Sequence, residues 1–115
     1  MIKTKDQIAI QVVEDSGNIQ GRIEKHHILT PDEMGGRAHM FARIDIPAGS
    51  MIKEHAHIAD AEAYYILEGE LTVTDNGAAR TLHPGDVLFT ADGHRHSIET
   101  RTSAPGAFLA VIFKD

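Results

Sequence analysis

An all-β sandwich or barrel is the architecture that these 115 residues specify. Three observations point there. Turn-forming clusters recur at short intervals: Asp15-Ser16-Gly17-Asn18, Thr30-Pro31-Asp32, Gly35-Gly36, Pro47-Ala48-Gly49, Asp75-Asn76-Gly77, Pro84-Gly85-Asp86, Asp92-Gly93 and Pro105-Gly106. The runs between them are short, rich in β-branched or aromatic residues, and spaced at roughly 8–12 residues, as in sandwiches and barrels. No segment carries the periodicity of a long amphipathic helix.

Taken in order, Ile8 to Val13 reads as a first strand, and Ile19 to Leu29 as a second that carries His26 and His27. In a small barrel, strands from such an N-terminal segment (residues 1–36) can pair with a neighbouring subunit. From Ala38 to Ile46 the even positions are uniformly apolar, which is the alternation of a half-buried strand. Phe41 and Arg43 share the opposite face. If that face lines the barrel, Arg43 is a candidate clamp for a carboxylate; otherwise it meets solvent. Met51 to Ile58 reads as a strand. Asp60 to Ala63 suits a helical turn, but Tyr64-Tyr65-Ile66-Leu67 pulls toward strand. Glu70 to Thr74 alternates, and Asp75-Asn76-Gly77 closes a tight hairpin. The continuous apolar run Phe108 to Phe113 suits a strand buried on both faces.

The length supports a single domain spanning 1–115. Apolar residues at 42% and charged residues at 24% are ordinary for a globular chain. A formal net charge of −6 argues against a general nucleic-acid binder. The absence of cysteine excludes disulfides, thiolate metal sites and cysteine nucleophiles. No stretch approaches the ~20 apolar residues of a membrane helix, and Met1 to Ile10 lacks a signal-peptide core. A cytoplasmic protein with no membrane partner is the expectation. Eight histidines are the compositional anomaly.

Two of them, His55 and His57, stand two apart, so on a strand they project to one face. Alone this pair is weak, because an H-x-H pair is common in a histidine-rich chain. Its surroundings are not: Gly49-x5-His55-x-His57-x4-Glu62-x6-Gly69 fixes five positions, with glycines where strand ends need tight turns. A second block, Gly85-x5-Ala91-x-Gly93-x2-His96-x3-Thr100, adds a histidine on another strand. Parity puts Tyr64 on the face of Glu62, where it either bonds a ligand or fills the barrel. Lys53 shares the face of His55 in a regular strand and is a candidate partner for an anion, although a flexible surface lysine is the simpler reading. Glu54 and Asp60 read as a solvated charge and a loop residue. His26, His27, His39, His83 and His94 read as surface, turn or pocket-rim residues.

The two blocks resemble the paired motifs of the cupin superfamily. The first, residues 49–69, matches G-x5-H-x-H-x3–4-E-x6-G throughout. The second, residues 85–100, departs from G-x5-P-x-G-x2-H-x3-N at Ala91 and Thr100, which puts loop rigidity and nearby strand pairing in question. The resemblance implies an antiparallel double-stranded β-helix, or jelly-roll barrel, and a homodimer. It implies His55, His57, Glu62 and His96 as ligands to one divalent transition metal (Mn, Fe, Co, Ni, Cu or Zn). Such a set leaves positions open for a small-molecule ligand. A metal-dependent enzyme on a small oxygenated or carboxylate-bearing substrate, of the dioxygenase or oxalate-type decarboxylase class, is the leading expectation. A non-catalytic binding or sensing protein is the alternative.

Overall fold

Alternation along single strands sets the orientation of the whole sandwich. The structure is a computed structural model that describes residues 1–114. After a 3-10 turn at Lys5–Gln7, the described residues form eleven strands: β1 (Ala9–Glu14), β2 (Ile19–Gln20), β3 (Arg22–Leu29), β4 (Ala38–Ile46), β5 (Met51–Ala56), β6 (Asp60–Glu68), β7 (Leu71–Asp75), β8 (Ala78–Leu82), β9 (Val87–Thr90), β10 (Arg95–Glu99) and β11 (Gly106–Lys114). They assemble as two antiparallel sheets. One has the order β1-β3-β4-β11-β6-β9, and the other the order β2-β5-β10-β7-β8. This is the jelly-roll arrangement.

In β4, Ala42, Ile44 and Ile46 are buried and point between the sheets, while Phe41, Arg43 and Asp45 point out. In β6 the inward set is Glu62, Tyr64 and Ile66. The facing sheet contributes Ile52, Leu71, Val73 and Ile98. One apolar cluster results, centred on the fully buried Phe108, Ile23, Ile44, Ile46, Ile66, Leu71 and Ile98. Each such side chain removed from water contributes about 1.5–3 kcal/mol, and this pool offsets the ordering of so many short strands.

Three expectations need correction. Ile19 to Leu29 is not one strand: at Gly21 the chain changes sheets, so β2 pairs with β5 while β3 pairs with β1 and β4. The run from Phe108 to Phe113 is not buried on both faces. Leu109 and Val111 are half-buried and Phe113 is exposed, because the outer face of this sheet has no covering layer. Strand β5 is not regular. His96 pairs with His55 but Ile98 with Ile52, so two residues of β5, Lys53 and Glu54, oppose one of β10. This β-bulge inverts the parity of everything before it.

Other expectations hold. Residues 60–63 are strand, not helix. Asn76 (φ 48°) and Gly77 (φ 93°) link β7 to β8 as a two-residue turn, with both central residues in the left-handed region that the strand twist favours. Thr100 does what an amide would do at that position. Its hydroxyl donates to the Pro47 carbonyl at 2.8 Å and its N–H to the Ser50 carbonyl at 3.2 Å.

Candidate metal centre

Strand β5 with the residue just past its end, strand β6 and strand β10 bring four donor side chains to a single point between the sheets. The bulge at Lys53 and Glu54 rotates β5 so that Ile52 and His55 both face inward. His57 follows at the strand end, where its N–H donates to the His94 carbonyl and its own carbonyl accepts from Gly93. Glu62 comes from β6 and His96 from β10. His57, Glu62 and His96 are buried (5%, 3% and 1% exposed), and His55 is half-buried.

The donor atoms converge closely. His96 Nε2 lies 3.0 Å from His55 Nε2 and 3.1 Å from His57 Nε2. Glu62 Oε1 lies 3.1 Å from both His57 Nε2 and His96 Nε2. All four donors fall within 4.8 Å of one another. Adjacent donors around a six-coordinate ion with bonds of about 2.1 Å stand ~3.0 Å apart, whereas a tetrahedral ion would set them at ~3.4 Å. The observed spacing is that of donors able to share one ion.

The opposite ring nitrogens explain the convergence. His55 Nδ1 donates to the Lys53 carbonyl at 2.8 Å, a bond that fixes its tautomer because a carbonyl only accepts. His57 Nδ1 donates to Asp60 Oδ1 at 2.8 Å. His96 Nδ1 is 2.8 Å from Thr90 Oγ1, a fully buried hydroxyl. With each Nδ1 engaged, every Nε2 faces the same point, beside a carboxylate. Nitrogen and oxygen donors gathered this closely are held together by a cation among them, a proton or a metal ion, so the donor set fits a metal ion.

Electrostatics agree. Burial pushes the His55 imidazole down and keeps it neutral at pH 7, only partly opposed by its bond to the Lys53 carbonyl. Burial pushes Glu62 up, but hydrogen bonds from His57 and His96 outweigh it and hold the carboxyl below its usual range. His57 is raised, first by its bond to Glu62, against burial and with help from Asp60.

Beside the cluster lies a cavity of about 210 Å³, lined by His55, His57, Glu62 and Tyr64 on one side and by Ile23, Met40, Ile44, Ile52 and Phe108 among its apolar walls. Tyr64 is 2% exposed, stacks on His96 at 4.9 Å between ring centroids, and sets its hydroxyl 3.3 Å from His96 Nε2. Burial and the Glu62 charge hold its phenol well above the usual range, hence protonated.

The other sequence candidates lie elsewhere. Lys53 is exposed, because the bulge turns it outward; only its backbone carbonyl serves the site. Arg43 and Phe41 are on the outer sheet face, since their β4 neighbours Ala42 and Ile44 take the inward positions. Arg43 binds Asp45 at 3.1 Å and Glu68 at 3.3 Å there, so it is no clamp for a ligand of this cavity. Glu54 is exposed and pairs with Arg95. Asp60, read as a bystander, instead holds His57. His94 lies exposed in the loop and contributes only its carbonyl. His83 sits at its turn near Glu70, and His39 is exposed. His27 bonds Gln11 on β1. His26 joins Glu24 and Asp45 on the outer face, where Arg22 and Arg43 already neutralise the acids. Thr90 and Lys25, which also lines the cavity, carried no motif and were missed.

A two-sheet jelly roll holding three histidines and a glutamate against a largely apolar cavity defines a class, the β-sandwich with a cluster able to hold a metal ion. Comparison with known proteins narrows it. The family profile of the cupin domain matches residues 42–112, and the chain belongs to that family. It is 37% identical to the oxalate-binding protein of Thermotoga maritima over 112 residues, covering 97% of this chain and 93% of that one. It is 33% identical to the tetracenomycin polyketide synthase protein TcmJ of Streptomyces glaucescens over 85 residues, 74% of this chain and 57% of that one. The crystal structure of a predicted oxalate decarboxylase from Thermotoga maritima aligns over 100% of both chains at 36% identity, with a TM-score of 0.92. Among the described residues no helix is long and apolar enough to cross a membrane.

Proposed function

We propose that this cupin binds one divalent transition metal through His55, His57, Glu62 and His96, and uses it to hold and turn over a small carboxylate-bearing compound. The observation that carries the reading is the convergence of three Nε2 atoms and one carboxylate oxygen, each imidazole being held from behind by Lys53, Asp60 or Thr90. A bound metal of this kind supplies Lewis-acid polarisation of an oxygen ligand, or redox chemistry if it is Mn, Fe, Co or Cu. The chain's own contribution is orientation. Largely apolar walls shape the cavity, and Tyr64 keeps a phenolic proton beside the cluster. The names given to the Thermotoga maritima relative and to the Thermotoga maritima structure support an acid of the oxalate type and a reaction of the decarboxylase class, with dioxygen chemistry as the neighbouring reaction for a redox metal.

One observation favours a second reading, a binding or sensing protein. Glu62 is the cavity's single carboxylate among the described lining residues, and it is committed to the histidines. A decarboxylase that relies on a separate acid or base would have to use Tyr64. Turnover decides between the readings. Metal-loaded protein should release carbon dioxide from a small carboxylic acid or consume dioxygen, and Glu62→Ala should do neither. Tight, stoichiometric acid binding without either signal would establish the binding protein instead.

The same reading takes residues 1–115 as one cytoplasmic unit that works as a homodimer. Support for the dimer lies on the outer face of the larger sheet, where Ile10, Tyr65, Val87 and Phe89 are 45–62% exposed. Strand β1 is a sheet edge and is exposed on both faces along most of its length.

A further inference from the structure

The cavity wall carries a cation that the metal centre does not use. Lys25 lies mid-strand in β3, two residues after the fully buried Ile23 and directly opposite the buried Ile44 of β4. Those neighbours fix its direction, and it lines the same cavity as His55, His57 and Glu62. Its sequence neighbours Glu24 and His26 take the outer face, where they pair with each other and with Arg22 and Asp45. Among the described residues no carboxylate comes within ion-pairing distance of Lys25; Lys5, Lys53, Arg37 and Arg80 also lack one, but they are exposed, whereas Lys25 is half-buried.

Lys25 is half-buried and shares this lining with isoleucine, methionine and phenylalanine, which offer its ammonium no acceptors. A ligand can supply them. We propose that Lys25 binds a second anionic group of the ligand, so that the cavity selects a small dianion: one oxygen group at the His–Glu cluster, an aliphatic middle against Met40 and Ile44, and a carboxylate at Lys25. The volume of about 210 Å³ corresponds to about seven waters, so it admits chains longer than a two-carbon acid. This inference rests on the metal reading and names the ligand class that it left open.

The test is calorimetric titration of metal-loaded protein at neutral pH with oxalate, malonate, succinate and glutarate, each set against the monocarboxylate of equal carbon number. Wild-type protein should bind at least one dicarboxylate about tenfold more tightly than its monocarboxylate, as expected for one charge-assisted contact. Lys25→Met should lose that preference while keeping its monocarboxylate affinity, and Lys25→Arg should keep most of it. Metal per chain, measured on the same samples, should be equal in all three. A preference that survives in Lys25→Met, or no preference in metal-loaded wild type, overturns the role of Lys25 and leaves the metal centre standing. Wild-type protein that takes up no metal would remove the centre, and this inference with it.

Discussion

Asp60 shows how a residue outside the donor set governs it. By accepting from His57 Nδ1 it fixes which nitrogen of that ring faces the centre. Asp60→Ala should weaken metal affinity by about 10–100-fold, as losses behind a ligand typically do, with little change in unfolding temperature. Thr90→Val should act in the same direction through His96; competition titration against a chelator would measure both. Affinity should also fall with acid. A metal must displace any proton on His57, whose pKa is raised above the ordinary 6.5, so affinity drops as pH falls through that raised value and levels off above it. A pH-independent affinity between 5 and 8 would contradict the ionic picture of the site. The four donors were legible because they stand at fixed offsets between strand-ending glycines. Asp60 and Thr90 were not, because nothing in their spacing tells which ring nitrogen they meet.

The β5 bulge is the element on which the site turns. A regular strand would present Lys53 and His55 together, as simple alternation expects. The extra residue opposite Ser97 presents Ile52 and His55 instead and turns the Lys53 carbonyl toward His55 Nδ1. Bulges leave no reliable mark in an isolated sequence, and so both the anion-clamp reading of Lys53 and the parity of the strand failed. Turns were easier, because backbone conformation selects residue type. Gly69 is a case with two constraints: its φ is +79°, and a Cβ there would lie 2.5 Å from the Pro105 carbonyl oxygen, backbone that cannot swing aside. Gly69→Ala should therefore cost about 1–3 kcal/mol and lower the calorimetric unfolding temperature by several degrees. An unchanged temperature would mean that the β6–β7 turn is not held as described.

At the scale of the molecule, period-two patterning was enough to indicate an all-β protein and to name much of the inward set, but not to choose which face of β4 is inward. That choice depends on the second sheet, and it moved Phe41 and Arg43 to the outside. The outer face then becomes the molecule's exposed apolar surface. Sedimentation equilibrium at micromolar concentration should give a dimer, and Phe89→Asp should shift it toward monomer while leaving metal content unchanged.

The central claim, that three histidines and a glutamate converge to hold a metal, meets its most direct test in elemental analysis of protein purified without chelators or a metal-binding tag. About one transition-metal ion per chain is expected in the wild type, with stoichiometric metal lost in His55→Ala and in His57→Ala. A folded wild-type protein that carries no metal and takes none up, or both variants retaining it at full occupancy, would contradict the account.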